Sequence, residues 1–170
     1  ALKRTNEIQR DFLPFDKWLY IKIYCSEEVQ DKFLTEHLIF VLKELVKDFD
    51  FEFYYMRYRD PKSHIRLRIK HKDNYNIYKK MLPYFNDYRN RKIINHVILD
   101  TYEREIERYG GHEFIEEAEK LFFYDSRISM KLIDIVKNYN TELDKVDIVV
   151  LSIYHYLEDF GLNKYEKVEF

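Results

Sequence analysis

The strongest constraint on the fold is a pair of alternating segments on either side of a proline. The segments are residues 51–59 (FEFYYMRYR) and residues 64–70 (HIRLRIK), and the intervening DPKS contains Pro61. Alternation with a period of two, together with many aromatic and β-branched residues, is typical of β-strands. Aspartate, proline and serine favour a turn between them. The sequence therefore predicts a β-hairpin.

The register of this hairpin decides which side chains meet. A four-residue loop predicts three pairs that bring the cationic side chains onto one face, namely Arg59 with His64, Arg57 with Arg66, and Tyr55 with Arg68. The opposite face would be apolar, with Ile65, Leu67 and Ile69 against Met56 and Tyr58. A slip by one residue would mix cations into the apolar face, so the pattern favours this register.

Cationic residues are concentrated in this hairpin although the chain is close to neutral. Residues 57–71 contain four arginines, two lysines and two histidines, whereas the formal net charge of the chain is −2. Like charges on neighbouring strands repel each other, and the guanidinium fork of arginine binds carboxylates and phosphates through two hydrogen bonds. The hairpin is either a solvated cationic surface or a site for a defined anion, and its arginine content leans towards the anion site.

The remaining patterns place strands in the first two thirds of the chain and helices later. Strands are predicted for residues 18–24 and 92–99. Helices are predicted for residues 27–47 after the capping residue Ser26, 73–88 with a kink near Pro83, 114–125, a separate segment after Ser126, and 142–160 between a cap at Asn140 or Thr141 and Gly161. This order predicts an α+β fold with a largely antiparallel sheet, a long β-hairpin, packing helices and a helical C-terminal third.

Length and composition fit one domain over residues 1–170. The single cysteine, Cys25, excludes an internal disulfide framework, fits a reducing compartment and is interpreted as a small buried side chain rather than a nucleophile. The longest apolar stretches are far below the roughly 20 residues of a membrane-spanning helix. The chain is therefore expected to be cytoplasmic.

Several kinds of site are disfavoured. The six histidines lack paired ligand spacing, so no metal site is expected. The chain has no phosphate loop, dinucleotide fingerprint or serine elbow. Tyrosine alternates with arginine in the hairpin, as in some nucleic-acid binders, but the basic stretch is short and the chain is acidic overall. Direct contact with nucleic acid is therefore not expected.

A second group of charges lies in DTYEREIERYGG, residues 100–111. In an extended strand Glu105 and Arg108 would point to opposite faces, whereas in a helical turn residues three apart are neighbours. If the two act together, the chain should leave the extended form near residues 99–102. The alternative is an exposed ladder of ion pairs formed by Glu103, Arg104, Glu105, Glu107 and Arg108.

Four motifs together resemble a known family. WLYIKIY, FYYMRYRDPKSHIRLRIK, DTYEREIERYGG and AEKLFFYDS, in this order and spacing, resemble the C-terminal elimination domain of class I lantibiotic dehydratases, shared with thiopeptide-type bacteriocin biosynthesis proteins. The resemblance implies a lyase. A separate, larger domain would glutamylate serine and threonine of a precursor peptide from glutamyl-tRNA. The elimination domain would then expel glutamate, without a cofactor of its own, to leave dehydroalanine or dehydrobutyrine.

The resemblance also implies roles for particular residues. The functional arginines of the family fall on Arg66 and Arg68, and its glutamate and arginine before the double glycine fall on Glu105 and Arg108. The guanidinium groups would hold the glutamate carboxylates and stabilise the charge that develops as the ester bond breaks. Glu105 would orient Arg108, contact the glutamate ammonium or move a proton, and the first two are favoured because a carboxylate beside arginines is a weak base. From the predicted register, Arg57, Arg59 and His64 are secondary substrate-binding candidates.

The implied partners are the precursor peptide and the glutamylation domain of the same enzyme. A homodimer, and cyclase and transporter proteins that could bring the chain to the membrane, are also compatible with the family. The family domain continues beyond the position of Phe170 and includes a functional histidine there. His155 lacks the matching surroundings, so the chain is expected to be an incomplete elimination domain of a larger dehydratase, or a shortened relative. Alternative functions are a thiopeptide pyridine synthase and a non-catalytic module that binds acidic peptides.

Overall fold

A computed structural model describes residues 8–138 and 145–163. The chain divides into two compact units, residues 1–130 and residues 131–170. The elements in chain order are β1 (Asp11–Phe12), β2 (Trp18–Tyr24), α1 (Glu27–Lys32), a π-helical segment (Phe33–Leu38), α2 (Ile39–Val46), β3 (Glu52–Tyr58), β4 (His64–Lys70), α3 (Asn74–Asn90), β5 (His96–Asp100), β6 (Tyr102–Glu103), a 3₁₀ turn (Ile106–Tyr109), α4 (Ile115–Asn138) and α5 (Lys145–Asp159). The predicted α+β class with antiparallel sheet is confirmed.

The main sheet has the strand order β3-β4-β2-β5, and every neighbouring pair is antiparallel. A short ribbon of β1 and β6 is separate from it. Residues that pair directly share a face, and in this sheet the partners always have the same parity: Tyr20 pairs with both Arg68 and Asp100, for example. Even-numbered residues therefore form one face, called the cavity face below, and odd-numbered residues form the other, called the helix face.

The hairpin of β3 and β4 is confirmed, but the predicted register is wrong by one residue. Tyr58 pairs with His64, Met56 with Arg66, and Tyr54 with Arg68. The loop therefore has five residues, 59–63, and Arg57 pairs with Ile65. The observed register places aromatic rings rather than cations beside the arginines of β4, which removes the like-charge repulsion that the predicted register would create. It moves Arg57 to the helix face.

The helix face is apolar and buried in the first unit. Leu19, Ile21 and Ile23 of β2, and Ile65, Leu67 and Ile69 of β4, are fully buried. Alternation of these residues with polar ones is what lets one face of the sheet join the core. Arg57 lies at the edge of this face, where its Nη2 is 2.7 Å from Oδ1 of Asp31 in α1. Burial of the six side chains fixes the strand register, because a slip would expose all of them.

Several helix boundaries differ from the predictions. The predicted helix over residues 27–47 contains a π-helical segment at Phe33–Leu38, which inserts an extra residue per turn and changes which side chains face the core. Ser26 is the N-cap residue of α1, but its side chain makes no capping hydrogen bond. α3 continues through Pro83 to Asn90. β5 begins at His96, later than predicted, after Lys92 in a left-handed conformation.

The C-terminal helices also differ in part. α4 is one helix from Ile115 to Asn138, so the predicted break after Ser126 is wrong. The hydroxyl of Ser126 instead accepts a hydrogen bond from the backbone N–H of Tyr55 at 3.1 Å, on the edge strand β3. The predicted caps Asn140 and Thr141 lie outside the described residues. α5 ends before Gly161, whose φ of 80° fits the left-handed cap that a glycine provides.

Cys25 is buried, as predicted. Burial raises the pKa of its thiol to about 11. Within residues 8–138 and 145–163, no helix is both long and apolar enough to cross a membrane. The same described residues contain no group of three or more histidine, cysteine, aspartate and glutamate side chains arranged to hold a metal ion.

Candidate functional site

A cavity of about 540 Å³ lies in the first unit, over the cavity face of β2 and β4. Residues of the segment from Thr101 to Arg108 also line it. Eleven residues line the cavity, of which six are cationic and three acidic: Arg10, Tyr20, Lys22, Arg66, Arg68, Thr101, Glu103, Arg104, Glu105, Glu107 and Arg108. The four residues that the family resemblance singles out, Arg66, Arg68, Glu105 and Arg108, are all among them. The structure thus brings together residues from two distant parts of the sequence.

Arg68 is the most unusual of these cations because it is buried without a counter-ion. Its exposed fraction is 8%, and its Nε has no hydrogen-bond partner among the described residues. The guanidinium lies over three tyrosine rings, at 4.6 Å from the centroid of Tyr20, 5.2 Å from Tyr54 and 4.7 Å from Tyr102. Aromatic faces attract a cation, but they do not neutralise it. Arg68 can therefore still bind an anion.

Arg66, two residues earlier on the same face, is also free of an ion pair with the described residues. Its guanidinium lies 3.4 Å from the ring centroid of Tyr58. Its Nε–H donates a hydrogen bond to Nε2 of His64 at 3.2 Å. These two contacts use one edge and one face of the guanidinium and leave its two terminal nitrogens for another partner.

The other four cations of the cavity each have a carboxylate partner. Arg10 pairs with Glu107, Lys22 with Asp100 at 2.5 Å, Arg104 with Glu119 at 2.6 Å, and Arg108 with Glu105 at 2.9 Å. The hydrogen bond from Arg10 lowers the pKa of Glu107 to about 2. Likewise the hydrogen bond from Lys22 lowers the pKa of Asp100. Among the described cations of the cavity, only Arg66 and Arg68 therefore lack an acidic partner.

Glu105 and Arg108 meet as a helical turn would bring them together. Nη1 of Arg108 donates to Oε2 of Glu105 at 2.9 Å, and both side chains are exposed by more than half. The chain remains extended through Glu103 and then forms the 3₁₀ turn, somewhat later than predicted. Gly110 ends this turn with a φ of 84°, and a Cβ there would lie 3.0 Å from Cβ of Phe114. The glycine thus permits the close turn that holds Arg108 at the cavity.

The three secondary candidates do not line the cavity. Arg57 contacts Asp31 on the helix face, and Nε of Arg59 lies 3.3 Å from Oε1 of Glu27 at the exposed loop. The register correction removes the geometric reason for assigning them to substrate. His64 does lie on the cavity face, but its exposed fraction is only 1% and it contacts Arg66.

Arg104 is the main residue whose environment the sequence predictions missed. It is 2% exposed, and its Nε and Nη2 donate to the two carboxylate oxygens of Glu119 at 2.7 and 2.6 Å. Glu119 also accepts a hydrogen bond from the hydroxyl of Tyr102 at 3.0 Å, and Tyr54 donates to that hydroxyl at 2.8 Å. Burial raises the pKa of both tyrosines, that of Tyr54 to about 12. This network fixes two of the rings that surround Arg68.

A signal for this arrangement was present in the sequence. Tyr102, Arg104 and Ile106 alternate with Glu103, Glu105 and Glu107, and the first three are buried while the second three are exposed. Alternation with a period of two indicates an inward and an outward face. An arginine between a tyrosine and an isoleucine on the inward face points to a buried ion pair rather than to an exposed ladder.

Comparison with known proteins places the chain in one family. The family model described as lantibiotic biosynthesis dehydratase C-term matches residues 18–170. The chain is 36% identical to the nisin biosynthesis protein NisB of Lactococcus lactis subsp. lactis over 166 residues, which cover 98% of this chain and 17% of NisB. It is 31% identical to the subtilin biosynthesis protein SpaB of Bacillus subtilis over 160 residues, covering 93% of this chain and 16% of SpaB. The chain thus spans about a sixth of the length of these relatives.

A solved structure shares the fold. It is the crystal structure of the tRNA-dependent lantibiotic dehydratase MibB from Microbispora sp. 107891, with a TM-score of 0.77 and 20% sequence identity. The alignment covers 84% of this chain and 14% of that chain.

Proposed function

Because the chain belongs to the family of C-terminal domains of lantibiotic biosynthesis dehydratases, we propose that it eliminates glutamate from glutamylated serine and threonine residues of a lantibiotic precursor peptide. The products are dehydroalanine and dehydrobutyrine. In this proposal a separate domain attaches glutamate from glutamyl-tRNA, and the cavity described above receives the glutamylated side chain. The relatives' names support a role in lantibiotic biosynthesis, and the cavity supports the choice of the elimination step.

The observation that carries the proposal is the unneutralised pair Arg66 and Arg68. Two guanidinium groups on one strand face, one of them buried, line a cavity without an acidic partner of their own among the described residues. Taking a cation out of water is unfavourable unless an anion approaches it. Glutamate provides a carboxylate on its side chain and a second one as it departs. Its ammonium group can face Glu103, Glu105 or Glu107, which line the same cavity.

The chemistry follows from this arrangement. A base removes the α-proton of the modified residue, the electron pair forms the Cα–Cβ double bond, and the Cβ–O bond of the ester breaks with its electrons remaining on glutamate. Negative charge therefore develops on the departing carboxylate. Arg66 and Arg68 stabilise that charge more strongly in the transition state than in the neutral ester, which lowers the barrier. Arg108, oriented by Glu105, adds a further guanidinium at the mouth of the cavity.

The direct test is mass spectrometry of the precursor peptide after reaction with the complete dehydratase. Arg66→Ala or Arg68→Ala should leave peptides that carry glutamate but are not dehydrated. Arg59→Ala is a matched control, because it removes the same charge from the same hairpin at a position outside the cavity. Ordinary dehydration by both Arg66→Ala and Arg68→Ala would reject the proposal.

Binding of free glutamate separates elimination from simple recognition of an acidic peptide. A pocket for the leaving group should bind glutamate itself, with an affinity that Arg66→Ala reduces at least about tenfold, the effect of losing one charge-assisted interaction. A docking face for acidic peptides should bind an acidic peptide but show no specific binding of the free amino acid. Isothermal titration with glutamate and with an acidic peptide would distinguish the two.

A further inference from the structure

His64 is held in one tautomer by its two neighbours. Its Nδ1 lies 2.7 Å from the backbone carbonyl oxygen of Lys62. A carbonyl oxygen only accepts hydrogen bonds, so Nδ1 carries the proton. Nε2 then has a lone pair, which accepts the hydrogen bond from Nε–H of Arg66 at 3.2 Å. The observed contacts therefore require a neutral imidazole.

The imidazole is also fixed in orientation. Its ring stacks on Tyr24 of β2, with 4.8 Å between centroids and 25° between planes, and lies 5.7 Å from the ring of Tyr58. Tyr58 is the same ring that supports the guanidinium of Arg66. With 1% of its surface exposed, His64 cannot reach a substrate in the cavity without rearrangement. It is placed to act on Arg66 instead.

We propose that His64 is a positioning residue, whose neutral imidazole orients the Arg66 guanidinium so that its terminal nitrogens face the cavity. This inference rests on the elimination function proposed above, and it goes beyond it by assigning a role to a buried residue that does not touch the substrate. Arg66 alone could adopt several rotamers on an open strand face. The hydrogen bond from Nε and the ring of Tyr58 select one of them before the substrate arrives, which reduces the cost of ordering.

Protonation of His64 would break this arrangement. An added proton on Nε2 would face the Nε–H of Arg66, so two donors and two positive charges would meet. Burial, aided by Arg66 on the same strand and Lys22 of β2, lowers the pKa of His64 below its ordinary value of 6.5, whereas the hydrogen bond to Lys62 and the charge of Asp60 oppose this change. The tyrosine rings of Tyr24 and Tyr58 also face the imidazole. Positioning should therefore be intact at neutral pH and be lost as the pH falls through the lowered pKa of His64.

Two substitutions of His64 separate positioning from packing. His64→Phe keeps an aromatic ring between Tyr24 and Tyr58 but removes the acceptor for Arg66. His64→Gln retains an acceptor oxygen that can reach Arg66 and cannot become protonated. The assay is the rate of elimination from a glutamylated precursor peptide by the complete dehydratase, measured as kcat and KM from about pH 5 to about pH 8, where histidine titrates.

His64→Phe should lower kcat/KM about tenfold or more at neutral pH, because it loses a hydrogen bond to a charged group. His64→Gln should recover most of that loss, and it should flatten the acidic limb of the pH profile of kcat/KM. In an Arg66→Ala background, His64→Phe should cause little further loss of glutamate affinity, since the group it positions is gone. Thermal unfolding of each variant shows whether the chain remains folded.

The outcomes distinguish this inference from the proposed function. If Arg66→Ala abolishes elimination but a folded His64→Phe variant reacts as fast as the wild type, the positioning role is wrong and the function stands. If Arg66→Ala itself eliminates glutamate normally, the positioning role is wrong, and the proposed function is rejected as well only if Arg68→Ala also eliminates glutamate normally. Should His64→Phe fail to fold, the pH profile of His64→Gln decides: an acidic limb identical to that of the wild type overturns the positioning role.

Discussion

Two buried arginines lie close to Tyr102 and differ in whether a carboxylate pairs with them: the guanidinium of Arg68 lies over the Tyr102 ring, and Arg104 shares the carboxylate of Glu119 with the Tyr102 hydroxyl. Arg104 is 2% exposed and donates two hydrogen bonds to Glu119, which is itself buried. Arg68 is 8% exposed and is surrounded by tyrosine rings, and no carboxylate of the described residues forms an ion pair with it. The surroundings of Arg104 thus include an anion, and the surroundings of Arg68 do not.

Under the proposed function, this difference separates a buried charge that maintains the fold from one that would bind the leaving group. A buried cation with a bidentate carboxylate is satisfied, so Arg104 can connect the segment that follows β6 to α4 without any further partner. A buried cation without one raises the free energy of the folded protein, and binding of an anion relieves that cost. Mutation should therefore affect stability at Arg104 and Glu119, and ligand binding or catalysis at Arg68.

The largest expected effect is on stability, from Glu119→Ala. Removal of this carboxylate takes two hydrogen bonds from the buried Arg104 and leaves Glu116, 3.9 Å from its Nη2, as the remaining acidic neighbour among the described residues. The free energy of unfolding should therefore fall by about 3–5 kcal/mol. Urea denaturation measures the change. Glu117→Ala, at an exposed position of the same helix, is the matched control and should change stability little. Equal effects of the two substitutions would contradict the structural role of the pair.

The second prediction concerns Arg68→Met, which replaces the guanidinium with an apolar chain of similar length. Elimination should fall about 100-fold, the scale of losing one group that stabilises transition-state charge. The free energy of unfolding should stay within about 1 kcal/mol of the wild-type value or rise, because an unpaired buried charge has been removed. A large loss of stability with little loss of elimination would reverse the comparison between the two arginines.

An intermediate effect is expected from Tyr102→Phe. The hydroxyl of Tyr102 accepts from Tyr54 and donates to Glu119, so its removal should cost about 1–2 kcal/mol of stability. The ring remains beside Arg68, and elimination should therefore fall less than in Arg68→Met. Urea denaturation and the peptide assay on the same preparation compare the two effects. A loss of elimination equal to that of Arg68→Met would mean that the hydroxyl, and not the ring, supports Arg68.

The smallest effect is expected from Arg59→Ala. The Arg59 side chain is 83% exposed, and its pairing with Glu27 is a surface ion pair. Such pairs contribute little, so the free energy of unfolding should change by less than about 0.5 kcal/mol. Its elimination rate should match that of the wild type. A strong loss of elimination would restore Arg59 to the substrate site and would require the loop to approach the cavity during the reaction.

Much of the fold could be predicted from alternation and apolar spacing. The strand Trp18–Tyr24 was predicted with its observed bounds, and the hairpin was found because period-two alternation is a local property. The pairing register of β3 and β4, in contrast, could not be predicted from these two segments alone. It depends on contacts of Arg66 and Arg68 with rings contributed by β2, β3 and β6, which pairing within the hairpin alone cannot reveal.

The site was predicted only in part for a similar reason. Arg66, Arg68, Glu105 and Arg108 lie in motifs that the family resemblance identifies, whereas Tyr20, Lys22 and Arg10 reach the cavity only through the sheet order and the short ribbon. The partner of Arg104, Glu119, is 15 residues away along the chain. From the sequence alone, a charged run such as residues 103–108 is predicted to be solvent-exposed, because the element that covers one of its faces lies elsewhere in the chain.

The shared parity of paired residues in the main sheet has a consequence for how the gene can change. An in-frame insertion or deletion of one codon within β4 would exchange the two faces for every residue beyond it, sending Arg68 towards the core and Ile69 into the cavity. Loss or gain of a codon in the exposed loop at residues 59–63 leaves the strands intact. Among variants of this chain that keep their function, insertions and deletions should therefore be found in that loop and be absent from the strands beside it.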